Sequence, residues 1–355
     1  MKNHPSPSPD RHSKFPQPAP LVGILGALAV AFNWAIPAAQ AGDPFRSTNP
    51  SPMGDHIEMA FDAMFEQGNY VEASRHLAQA ETTEGDEPLV YAMLGALAYL
   101  DQDWADLNRY ADETLTKGSA LVAQDPLRGN LYRAIGHFLE GAYVLSPAGE
   151  GTLRGLPTVL NKLQEVYAAL GEAQKVNPND PELNLIQGFM DLQVAVNLPL
   201  ASPKKAVQRL EGAAAPRFIA DWGIALAYRD LNRLPEALDR VNAALNASGQ
   251  QNPQLYHLRA QILRKQAEQG NSALFAQAQA DFETALAKAN QLPKVVVGDI
   301  AREYCRNQIQ VDQVERDCST VRQKIMQVSG TWGPTLTPQG GDVVVVSPTA
   351  EDGGV

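Results

Sequence analysis

FEQGNYVEASRHLAQA, residues 65–80, joins the end of one helix-like apolar run to the start of a second through Gln67-Gly68-Asn69-Tyr70. Nothing in it is reactive, yet its residue sizes are ordered. Gly68 stands where the first run stops, a place where a positive φ closes a helix at no steric cost. Tyr70 follows as a wedge between two helices. Ala73 and Ala80 are small where a neighbouring helix crosses closely, and Leu77 supplies the apolar contact between them. A hairpin of two short helices cannot bury its apolar face alone, so it must stack on others of its kind.

The rest of the chain contains those others. Laying YAMLGALAYLDQDWADLNRYADETL, residues 91–115, under the segment that starts at Ile57 pairs Tyr70 with Trp104 and Phe61 with Gly95, a spacing of 34 residues. With this period the chain resembles the tetratricopeptide repeat family. Tyr91, Leu94 and Gly95 fill positions of its first helix, and Gly68, Tyr70, Ala73, Leu77 and Ala80 fill those of its turn and second helix. Further copies follow at 130–143 with 157–176, at 181–192 with 202–214, at 221–245, and at 253–266 with 275–289. The third is interrupted by an insert near 146–156, SPAGEGTLRG. The resemblance implies an all-α, right-handed solenoid of five to six helix pairs over residues 55–293, closed by a helical cap at 294–328. It also implies kinship with exported bacterial members of the family, the cyanobacterial type included.

Both ends read differently. Residues 1–20 carry Lys2, Arg11 and Lys14 against Asp10, and LVGILGALAVAFNWAIPAAQA follows, ending in Ala39-Gln40-Ala41. A positive leader, an apolar run and a small-x-small exit make residues 1–41 a secretory signal peptide, whose span is short for a helix crossing. The membrane is then met only in passing. Residues 42–54 read as a flexible polar lead-in, and residues 329–355, rich in Gly and Pro, as a disordered tail.

The chain has 355 residues and a formal charge of −11, which becomes −13 once the +2 leader is gone. That balance excludes nucleic acid and anionic membrane surfaces as partners, since both reward clustered Lys and Arg. The two cysteines, Cys305 and Cys318, suit a disulfide in an exported chain. Six scattered histidines offer no metal-ligand spacing, and Gly149-Glu150-Gly151 lacks the strand and the Lys-Ser or Lys-Thr of a phosphate loop. No Gly-x-Ser-x-Gly elbow or Cys/His pairing points to an enzyme. The expectation is a protein without catalysis, metal or cofactor.

In the resembled family the first helices line a concave face. Carried over residue by residue, that face takes Glu58 and Asp62, Tyr99, Arg133 and His137, Leu185 and Phe189, Trp222 and Arg229, and His257. It runs from acidic through apolar and aromatic to mildly basic. Tyr99, Phe189 and Trp222 are the expected anchors for a protein or peptide partner. Glu58 and Asp62 stand where carboxylate-clamping members carry Lys and Asn, so a basic or apolar ligand fits better. The alternative is a glycan or peptidoglycan fragment bound near Tyr99, Phe189 and Trp222.

Overall fold

In the computed structural model, residues 42–197, 203–339 and 342–345 are described. The leader expected at 1–41 and the last residues of the tail, 346–355, lie outside them.

Among the described residues the chain forms fourteen α-helices that pack in consecutive pairs. They are α1 (Asp55–Phe61), prolonged by a π turn (Asp62–Glu66), with α2 (Tyr70–Thr83); α3 (Pro88–Asp101) with α4 (Trp104–Leu121); α5 (Pro126–Leu145) with α6 (Gly151–Val176); and α7 (Pro181–Asn197) with α8 (Pro203–Gly212). The series continues with α9 (Arg217–Asp230) and α10 (Leu234–Ala247), α11 (Pro253–Glu268) and α12 (Leu274–Leu286), and, after a 3-10 turn at Ala289–Gln291, α13 (Lys294–Asp312) and α14 (Cys318–Met326).

The pattern of the opening stretch is the packing of α2. Ala73, Leu77 and Ala80 are fully buried, and Gly68 has φ +66°. Asn69 Oδ1 accepts from the amide of Glu72 and caps the helix at 3.1 Å. Close approach decides the small residues elsewhere too. A methyl on Gly136 would stand 2.8 Å from the backbone nitrogen of Leu115, so α4 and α5 could not pack as they do. Proline opens α3, α5, α7, α8 and α11, where its missing N–H costs nothing. The first helix is capped from outside. Glu84, just past α2, accepts from the amides of His56 and Ile57, both at 2.9 Å.

Three boundaries differ from the sequence reading. The second helix of the third pair starts at Gly151, inside the expected insert, and carries Pro157 within it. The lead-in at 42–54 is not loose. Phe45 and Met53 are buried, and the Phe45 ring meets Phe61 edge-on at 5.1 Å. The expected disorder of the tail does not hold for its first part. The amide of Gly333 donates to Leu292 O at 2.8 Å, that of Lys294 donates to Thr331 O at 2.9 Å, and Leu336 is buried. β1 (Leu336–Gln339) then pairs antiparallel with β2 (Asp342–Val345).

The series curls so that the first pair meets the sixth and the segment beyond α14 meets the second. The turn between α1 and α2 lies against the start of α11, where Asn252 Nδ2 donates to Phe65 O at 2.8 Å and Tyr70 Oη donates to Gln254 Oε1 at 3.0 Å. Beyond α14, Thr331 Oγ1 donates to Asp101 Oδ2 at the end of α3, at 2.8 Å. No helix among the described residues is long and apolar enough to cross a membrane.

Candidate partner-binding face

The expected groove residues fall into three groups. Leu185 is a correction: it is only 4% exposed and belongs to the core, so it cannot meet a partner. Phe189 and Trp222 are partly buried and pack against the same core. The tip of the Phe189 ring lies where a methyl on Gly223 would come within 2.8 Å of Cζ, so α7 and α9 meet through it. Two of the three expected anchors are therefore inter-pair packing. A helix turns 100° per residue, and the insert and irregular turns displace the face by that much.

His137 is engaged by two carboxylates. Its Nδ1 lies 2.8 Å from Glu140 and 3.1 Å from Glu165 on α6. These three could meet a cation, but the Lys162 ammonium already bridges both carboxylates, at 3.0 and 2.9 Å. Arg133 donates to Asn130 Oδ1, one turn back on its own helix, at 2.9 Å.

What remains accessible is polar and aromatic. Tyr99 is 50% exposed, its ring edge-on to Trp104 at 5.9 Å. On three successive first helices, α9, α11 and α13, side chains join in a ladder. Arg229 donates to Gln261 Oε1; Gln261 Nε2 donates to Glu303 Oε2 at 2.8 Å; His257 Nε2 lies 3.0 Å from the same carboxylate. Burial works against the Glu303 charge, but the hydrogen bond from His257 leaves its carboxyl below the usual range. Glu303 was missed in the sequence because α13 reads as a cap, although it continues the series of first helices.

At the other end of the face, Glu58 and Asp62 lie on α1 and the π turn that prolongs it. Burial, then Glu66 and Glu58, lift the Asp62 carboxyl to about 6.

The largest departure is a buried charge network that no local pattern announces. Arg46, in the lead-in, donates from Nε and Nη2 to Asp180 at 2.8 and 2.9 Å, and lies 2.8 Å from Glu182 at the start of α7. Glu182 is fully buried. It also accepts from Tyr132 Oη and from Arg128 Nε at 3.3 Å, and Arg128 Nη2 pairs with Glu87 at 2.7 Å. Asp43 holds Arg46 from behind at 2.9 Å. Burial opposes the Asp43 charge, but the Ser51 amide, Arg46 and the Phe45 amide bring its carboxyl below the ordinary value. Glu182 is the centre of this network. The lead-in is thus a strap from α1 to the start of α7.

A cleft of about 540 Å³ lies beside the strap, lined by Pro52, Thr83, Glu84, Asp86, Glu87, Gln124, Asp125 and Arg128, among others. Tyr99, Phe189 and Trp222 do not line it.

No protein-family model matches the chain, and no curated protein matches it. Among solved structures, a tetratricopeptide repeat protein from Parabacteroides merdae aligns over 76% of this chain and 95% of its own, at 16% identity and a TM-score of 0.36. A superposition that loose adds nothing to the helix pairing described above.

Proposed function

We propose that the chain is an exported scaffold that holds a protein or peptide partner by shape and charge complementarity, without catalysis or cofactor. The observation that supports this most is the ladder Arg229–Gln261–His257–Glu303, which spans three successive first helices and stays partly accessible. A fixed row of donors and acceptors can meet the amides and polar side chains of an extended peptide at little ordering cost. Tyr99, half exposed, is the aromatic anchor in place of Phe189 and Trp222. The glycan alternative loses support, because Phe189 and Trp222 are occupied in packing.

The test is capture. The processed chain is immobilised and exposed to envelope extract from its own source, and bound proteins are identified by mass spectrometry. Tyr99→Ala and Gln261→Ala are expected to lose the partner while keeping their melting temperature. Arg75→Ala, on the exposed face of α2, is expected to retain it. Equal capture by all three would contradict the assignment.

A further inference from the structure

Removing the expected leader after Ala39-Gln40-Ala41 leaves Gly42 as the first residue. Gly42 lies against the first helix: a β-carbon built on it would stand 2.9 Å from Glu58 Oε1 and 3.8 Å from Glu58 Cδ. That point has a second meaning. In glycine, rotation about the Cα–C bond by a third of a turn carries the nitrogen to the position a β-carbon would hold, and the two bonds are of nearly equal length. While residue 41 is attached, that nitrogen is an uncharged amide in a peptide bond. Once the bond is cut, the nitrogen is a free end.

We propose that the peptide bond between Ala41 and Gly42 is the processing site, and that the α-ammonium it releases swings onto the Glu58 carboxylate. At the position of the missing β-carbon the N–O distance is that of a charge-assisted hydrogen bond.

Three surroundings favour the pairing. No described side chain is ion-paired with Glu58, so its charge is available. Asp62 and Glu66 lie beyond it on the π turn, making the patch short of positive charge. The backbone next to Gly42 is already fixed, because Asp43 accepts from the amides of Phe45 and Ser51 and from Arg46, at 2.8 to 2.9 Å. The terminus therefore has one short pivot and one place to go. Export would then complete the strap with an ion pair that the unprocessed chain cannot make.

The inference rests on the proposed export, and its test separates the two. The chain is expressed with its own leader in a bacterial host, recovered from the periplasm, and weighed intact; the mass expected is that of a chain beginning at Gly42. A chain that stays in the cytoplasm with residues 1–41 attached overturns export. An exported chain that starts anywhere else overturns the processing site. The α-amino group is then labelled with carbon-13 methyl groups and titrated by NMR. Its pKa is expected about one pH unit above the ordinary 7.7–8.0, returning to that range in Glu58→Gln. Equal values in the two proteins overturn the docking. Should Glu58→Gln not fold, acetylating the terminus of the parent protein keeps the question open to decision. Docking predicts a lower melting temperature after acetylation, and an unchanged one overturns it.

Discussion

Asn252 joins two parts of the chain 187 residues apart: its Nδ2 donates to the main-chain carbonyl of Phe65 at 2.8 Å, while its Oδ1 accepts from the amide of Gln254 at 2.9 Å and caps α11. The side chain is fully buried at the seam where the first helix pair meets the sixth. Asn252→Ala should therefore lose a cap and leave a buried carbonyl unpaired, at a cost of about 2–4 kcal/mol in urea unfolding. Gly68→Ala strikes the same seam, since its methyl would stand 2.6 Å from Asn252 Oδ1 at a φ of +66°. The double variant is expected to cost less than the sum of the two.

Arg46 is the second long-range tie. Arg46→Met would leave Asp180 buried without its cation and Glu182 with Arg128 alone, and one-sided removal of such a pair costs about 3–5 kcal/mol. Limited proteolysis should then cut first within residues 42–54. Arg75→Met breaks an exposed pair with Glu72 and an exposed contact with His76, and should cost under about 1 kcal/mol.

Cys305 and Cys318 form a disulfide that ties α13 to the start of α14. A closed loop of this length contributes about 3 kcal/mol by limiting the unfolded chain. Reduction, or Cys305→Ser with Cys318→Ser, should lower the unfolding free energy measured in urea by that much. Exchange protection should fall in α13 and α14 before it falls in α2.

How far the sequence could be read follows from the range of each contact. Ala73, Leu77 and Ala80 could be assigned because their neighbours lie within one 34-residue unit, where size and spacing are local facts. The seam at Asn252 and the Arg46–Asp180 pair, 134 residues apart, depend on how far successive pairs rotate, which no unit contains. The face fared worst. Leu185 and Phe189 sit one helical turn apart in a repeat that follows an insert, and a displacement of one residue moves a side chain from groove to core. Residues 42–54 misled through their Pro and Ser, although Phe45, Arg46 and Met53 were the residues that bind the strap down.

Asp62 offers a pH test. Its folded pKa of about 6 lies above the 3.8 of an unperturbed aspartate, so the folded state holds this proton more tightly than the unfolded one. The resulting stabilisation is complete below about pH 4 and is lost as pH rises through 6. Asp62→Asn should accordingly gain on the parent protein between pH 5 and pH 7.5, by about 1 kcal/mol once partial exposure is allowed for. Melting curves at the two pH values decide it. In the processed chain the gain should be smaller, because a nearby ammonium favours the charged carboxylate.

The most direct measurement is partner capture by the processed chain, compared with Tyr99→Ala and Gln261→Ala in the same envelope extract. Loss of one defined partner in both variants, with melting temperatures within a degree or two of the parent, is the predicted result. Undiminished capture by both variants would contradict a binding role for the first-helix face.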